Sequence, residues 1–227
     1  MRIQILKSSL LVVAGAAALV YALGWNPASS ATNLPDPNLD ESPAAAHGRE
    51  TVVLAGGCFW GIQAVFEHVR GVTQATAGYS GGSVKSPSYE EVGSGETGHA
   101  ESVEVIYDPS KVTFGQLLKV FFSVAHDPTQ LNRQGPDEGT QYRSAIFYES
   151  PDQQRIAQAY VSQLTQAKVF SSPMVTEIVP FKAFFRAEDY HQDYVVHHPD
   201  NPYIIINDLP KVANLKKQFP DLYVSGR

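Results

Sequence analysis

The sequence predicts an α+β domain, a mixed β-sheet with helices packed on it. Three observations predict it. Short β-branched runs alternate with segments whose apolar residues recur at i, i+3, i+4 and i+7. Two of the strand-like runs, Val72–Tyr79 and His99–Tyr107, succeed one another with no long helix between them, which argues against a purely doubly wound parallel sheet. The chain has 227 residues, 43% apolar and only 18% charged. That is enough for one well-buried core or two small ones, and it excludes a charge-rich disordered chain.

Taken in chain order, the first element is N-terminal. Arg2 and Lys7 precede an apolar run from Leu10 to Trp25, no acid occurs before Asp36, and Ser29-Ser30-Ala31 supplies small residues. Residues 1–31 therefore read as an export signal cleaved after Ala31, or as an uncleaved N-terminal anchor near the lower length limit for a ~30 Å hydrocarbon core. Either places the domain outside the cytoplasm, periplasmic or secreted, with membrane attachment only if the segment is retained. Residues 32–50 hold Pro35, Pro37 and Pro43 and read as a flexible tether. The domain is expected over 51–227. Thr51–Ala55 is a buried strand before two glycines. Ile62, Val65, Phe66 and Val69 mark an amphipathic helix. Val72–Tyr79 is a strand closed by Gly81-Gly82, and His99–Tyr107 another, ended by Asp108-Pro109. Phe114–Ala125 carries Leu117, Leu118, Phe121 and Phe122 at helical spacing. Gln141–Tyr148 is a strand, and Pro151–Lys168 a long helix opened by proline. Met174–Val179 is a strand, Ala187–His197 a helix, and Lys211–Phe219 a short basic helix. The order β-α-β-β-α-β-α-β-α, followed by the short basic helix, predicts a two-layer single domain derived from the ferredoxin-like arrangement.

Charges sum to −6, so no basic face for nucleic acid is expected. Cys58 is the one cysteine, which excludes an internal disulfide and a Cys-rich zinc site. His197-His198 are adjacent and converge poorly on one ion, so no metal is predicted. The glycines at 81–82 and 93–95 lack the lysine and spacing of a phosphate loop, so no nucleotide is predicted.

Cys58 lies in Gly56-Gly57-Cys58-Phe59-Trp60-Gly61, between a strand and a helix. The unpaired N–H groups of a helix N-terminus favour a thiolate, and this position is expected to lower the thiol pKa by up to about 1.5 units. The competing reading is a buried structural cysteine, the commoner fate of a lone thiol. Phe59 and Trp60 read either as core aromatics or as a small apolar pocket at the sulfur, suited to a methyl or thioether group. A Cys–His pairing of Cys58 with His99, His126 or His191 gives the alternative reading, an exported hydrolase or acyl transferase.

The motif Gly57-Cys58-Phe59-Trp60-Gly61 resembles the signature of peptide methionine sulfoxide reductase A. Gly78-Tyr79-Ser80-Gly81-Gly82, Ser86-Pro87-Ser88-Tyr89 with Gly98-His99-Ala100-Glu101, Gly139-Thr140-Gln141-Tyr142-Arg143-Ser144, and Ala187-Glu188-Asp189-Tyr190-His191-Gln192 resemble its further motifs, in the family's order. The resemblance implies a thiol-dependent oxidoreductase that repairs oxidised protein by reducing methionine sulfoxide, protein-bound or free, at the S epimer. It assigns Cys58 as nucleophile and Glu101 as the acid that protonates the sulfoxide oxygen. Tyr89 and Tyr142 become hydroxyl donors to that oxygen, Phe59 and Trp60 the cradle of the S-methyl group, and Asp137 an orienting acid. It implies no cofactor. Many relatives carry further cysteines toward the C-terminus that resolve the sulfenic acid; this chain has none. The expectation is a one-cysteine cycle, in which an external thiol (a thioredoxin-like or glutaredoxin-like protein, or a small thiol) attacks the sulfenic acid.

Overall fold

The computed structural model describes residues 34–42 and 48–225; the expected export segment and the middle of the tether lie outside them. In chain order the elements are β1 (Glu50–Gly56), α1 (Phe59–Glu67), β2 (Val72–Ser80), the short α2 (Tyr89–Gly93), β3 (Ala100–Tyr107) and α3 (Phe114–Val120). Next come a hairpin of β4 (Arg133–Gln134) and β5 (Asp137–Glu138), β6 (Ser144–Tyr148), α4 (Pro151–Gln166), β7 (Glu177–Pro180), β8 (Phe184–Arg186), the one-turn α5 (Tyr194–His197) and α6 (Leu209–Gln218).

The main sheet has six strands in the order β7-β6-β1-β3-β2-β8. Its central four, β6-β1-β3-β2, are antiparallel and are the strands of a β-α-β-β-α-β unit, as expected. β7 adds parallel to β6, which makes the sheet mixed. β1 is a continuous apolar run because both its faces are covered. Val52 and Leu54 join the main core with Ile62, Phe66 and Leu117, while Val53 and Ala55 pack with Ala100, Ala145 and Phe147 on the other face. α3 starts at a capping box, Thr113 with Gln116, and α4 at Ser150 with proline in its first turn.

Four sequence expectations change. Gln141 and Tyr142 sit in a 3-10 turn (Thr140–Tyr142), and the strand begins only at Ser144. Ala187–His197 is not one helix: the Gln192 side chain is fastened to Ala77 N and O and to Ala187 O, and Asp193 takes a left-handed φ of 54°, leaving only α5. β8 is an addition to the expected strands; it reaches β2 because Gly78 has no Cβ, which would lie 2.4 Å from Phe185 O. The flexible-tether expectation does not hold for residues 34–42. Leu34 is buried, and Tyr160 Oη donates to Pro35 O at 2.9 Å. Asp40 accepts from Gly115 N (2.8 Å) and Glu41 from Phe114 N (2.5 Å), so this strap caps α3 from outside.

Candidate active site

β1 delivers the chain to Gly57, whose φ of +97° turns it sharply into α1. A Cβ there would stand 2.5 Å from the Gln134 side chain, so glycine is required both for the turn and for the approach of the β4–β5 hairpin. Cys58 is the N-cap of α1 and is 7% exposed. The Trp60 backbone N–H lowers its pKa, as a helix N-terminus should. Burial, followed by the charges of Glu101 and Asp208, outweighs that and pushes the thiol well above its ordinary value. The expectation of a depressed thiol pKa is therefore corrected: in the free enzyme Cys58 is held as the thiol.

Glu101 lies on β3 opposite Tyr79 and is 3% exposed. Its Oε2 accepts the Phe59 N–H at 3.0 Å, one residue from the thiol. Burial raises its pKa to about 8 despite that hydrogen bond, with Asp137 and Asp208 adding to the rise. The carboxyl is thus mostly protonated at neutral pH.

The aromatic wall is built by α1 and the segment after β8. Phe59 is buried, 5.8 Å from Tyr79 and 5.1 Å from His191 between ring centroids. Trp60, half-buried, stacks on Tyr194 at 3.8 Å, meets Tyr203 edge-on at 6.0 Å, and donates its Nε1–H to His191 Nδ1 at 3.1 Å. Tyr89 opens α2. Its ring lies 4.4 Å from that of His191, and Glu188 holds its N–H while accepting the Tyr79 hydroxyl, both at 2.9 Å. Burial lifts the Tyr89 phenol to about 12 and raises Tyr142; each also feels Glu101, Asp137 and Cys58. Both phenols keep their proton and remain donors. Asp137, on β5, accepts the Tyr203 hydroxyl, and burial raises its pKa.

The structure thus gathers Cys58, Glu101, Phe59, Trp60, Tyr89, Tyr142 and Asp137 at one place. Tyr203, Asp208, Lys211, Glu188 and Tyr194 join the site without having been expected there. Glu188 stood inside a recognised motif and could have been picked out there. Tyr194, Tyr203 and Asp208 lay in or beyond a stretch read as a plain helix, with no motif to single them out, and Lys211 opened the short basic helix near the C-terminus, where it read as one charge among several. Among the described residues no group of three or more His, Cys, Asp or Glu is arranged to hold a metal.

Residues 50–222 match the family described as peptide methionine sulfoxide reductase. A relative from Mesorhizobium japonicum named peptide methionine sulfoxide reductase MsrA 2 is 62% identical over 179 residues, 79% of this chain and 92% of that one. The chain belongs to the peptide methionine sulfoxide reductase A family. A second relative of the same name, from Synechocystis, is 52% identical over 83% of this chain and 89% of its own length. Among solved structures, methionine sulfoxide reductase A of Corynebacterium diphtheriae is 38% identical with a TM-score of 0.58, covering 74% of this chain and 84% of that one. Reduced Mxr1 from Saccharomyces cerevisiae is 32% identical with a TM-score of 0.63, covering 72% and 92%.

Membership makes this chain a methionine sulfoxide reductase, and the hydrolase reading is set aside. The histidines of the reductase agree. His126 is buried, bonded through Nε2 to Ser144 Oγ at 2.8 Å, and pushed down to about 3 by burial. His99 and His191 are also lowered by burial. The hydrogen bonds of His126 and His191 run to Ser144, Phe121 O and Trp60. Neither is spent on Cys58.

Proposed function

We propose that Cys58 attacks the sulfur of a methionine S-sulfoxide while Glu101 protonates its oxygen, with Tyr89 and Tyr142 donating hydrogen bonds to that oxygen and Phe59 and Trp60 holding the S-methyl group. The observation that carries this reading is the Glu101 carboxyl, buried and bonded to the Phe59 N–H beside Cys58, where burial pushes its pKa up to about 8. Bonds and protons balance. Attack forms a bond from Cys58 Sγ to the substrate sulfur; as the protonated oxygen transfers to Cys58, that S–S bond and the sulfoxide S–O bond both break, and the thioether leaves as methionine. The proton given by Glu101 is replaced by the thiol proton, so thiol plus sulfoxide becomes sulfenic acid plus thioether. Sulfur of the substrate is reduced by two electrons and Cys58 is oxidised by two.

With one cysteine in the chain, regeneration falls to an external thiol, protein or small. One thiol displaces water from the sulfenic acid to form a mixed disulfide, and a second releases Cys58. Residues 1–31 direct the reductase out of the cytoplasm, where it repairs oxidised proteins, peptides and free methionine sulfoxide. Separated sulfoxide epimers, assayed with and without thiol against a Cys58→Ser control, test the proposal. Thiol-dependent reduction of the S epimer alone supports it; equal turnover of both epimers, or turnover by the serine variant, refutes it.

A further inference from the structure

Beside Glu101, a second buried acid acts on the thiol, and it belongs to an ion pair packed against the catalytic helix. Asp208 ends a π-helical turn (Ile204–Asp208) that leads into α6, and it is fully buried. Its Oδ1 accepts from Lys211 Nζ at 3.1 Å, and its Oδ2 has no hydrogen-bond partner. The Lys211 side chain is only 17% exposed. The pair packs on Gly61, three residues after Cys58; a Cβ at Gly61 would lie 2.1 Å from Asp208 Oδ1 and 2.8 Å from Lys211 Nζ. The absence of a side chain at Gly61 is what admits an ammonium this close to the first turn of α1. Single π-turns in helices are frequent at functional sites. The groups that face the pair are Cys58 at the head of α1, Glu101 on β3, Asp137 on β5, His126 after α3, and Tyr203 on the same segment. Glu101 and Asp208 oppose a negative charge on Cys58, and Lys211 favours it.

We propose that Lys211 is a positioning residue of the reductase: Asp208 pins its ammonium over Gly61, where it offsets the buried acids and favours the thiolate form of Cys58. The proposal deepens, and rests on, the reading of Cys58 as nucleophile. It also gives the C-terminal segment of this one-cysteine chain an electrostatic part in the first half of the cycle. A buried charge of this kind is little screened by salt, so its effect persists at high ionic strength.

The test is the pH dependence of Cys58 alkylation by iodoacetamide in the full enzyme carrying Asp208→Asn, alone and combined with Lys211→Met, Lys211→Gln or Lys211→Arg, with circular dichroism to establish folding. Asparagine keeps the Oδ1 acceptor for Lys211 and removes the buried carboxylate that would take up a proton once its lysine is gone. In this background both neutral variants are expected to move the alkylation midpoint up by about one pH unit, and to slow alkylation at pH 8 about tenfold, while Lys211→Arg keeps most of the parent rate. The shift should survive a roughly fivefold rise in salt above ~0.1 M. An unchanged midpoint in a folded neutral variant of that background overturns the proposal. So does failure of both neutral variants to fold, which would assign Lys211 to the fold instead. Alkylation needs no sulfoxide. A normal shift in alkylation beside absent sulfoxide turnover would therefore fault the assignment of Cys58 as nucleophile and leave the electrostatic role standing.

Discussion

Replacing Glu101 with glutamine separates proton donation from thiol activation, because the two respond in opposite directions. Glutamine keeps the size of the side chain and an oxygen for the Phe59 N–H, and it loses the transferable proton. With a pKa of about 8, native Glu101 is about 90% protonated at pH 7 and about 10% at pH 9. The reacting state pairs a thiolate with a protonated Glu101, and the thiol titrates above the acid. The population of that state rises about tenfold per pH unit up to about 8, then levels as each gain in thiolate is cancelled by loss of the acid. In Glu101→Gln the break near pH 8 should vanish and the rise should continue until the thiol itself titrates. The rate of sulfoxide reduction should fall by about 10²–10⁴ for loss of the general acid. Alkylation of Cys58 should instead become easier above pH 8, since a neighbouring negative charge that opposes the thiolate is gone. The assay is rapid-quench single turnover with enzyme in excess, reading methionine formed from subsaturating sulfoxide across pH 6–10. A variant that keeps the break near pH 8, or reacts within about threefold of the native rate, would exclude Glu101 as the proton donor.

Three further outcomes are expected. Gly61→Ala should destabilise the enzyme by up to about 2 kcal/mol net in urea unfolding: its methyl group meets the Asp208–Lys211 pair at a cost of about 1–3 kcal/mol, of which alanine's helix preference over glycine returns roughly 0.5–1 kcal/mol. Docking of the 34–42 strap should weaken as pH rises from about 4.5 through about 7. Burial, reinforced by the charges of Glu50 and Asp40, raises the Glu41 carboxyl to about 7, so the folded state binds its proton more tightly than the unfolded chain does, and stability present at low pH is lost on ionisation. Amide exchange at Phe114 and Gly115, corrected for intrinsic pH dependence, reads it, and Glu41→Gln should abolish the trend. Trp60→Phe should raise KM more than it lowers the rate of the chemical step, because it removes the His191 hydrogen bond and part of the methyl cradle while sparing Cys58 and Glu101.

The central β-α-β-β-α-β unit is legible in the sequence because its strands and helices carry strong local signals: β-branched runs and apolar residues at helical spacing. The chain beyond β7 is not legible in that way. β8 depends on a missing side chain at Gly78 in another strand, and the break at Asp193 depends on Gln192 reaching Ala77, both contacts made across long sequence separations. The site divides the same way. Cys58 and Glu101 stand in recognisable motifs, whereas Tyr203, Asp208 and Lys211 are brought in by a π-turn that no spacing announces. The thiol pKa departs from its expected direction because the helix N-terminus is a local feature, while the burial and acidic neighbours that outweigh it are tertiary. The strap departs from the expected tether because prolines forbid a helix but do not forbid docking, and Asp40 and Glu41 find the open N-terminus of α3.

Transfer of oxygen to Cys58 is tested most directly by a single turnover without reductant on sulfoxide carrying isotopically labelled oxygen, with mass analysis of the Cys58 peptide. One labelled oxygen on Cys58 is expected for each methionine formed. Stoichiometric methionine beside an unmodified, unlabelled Cys58 would contradict it.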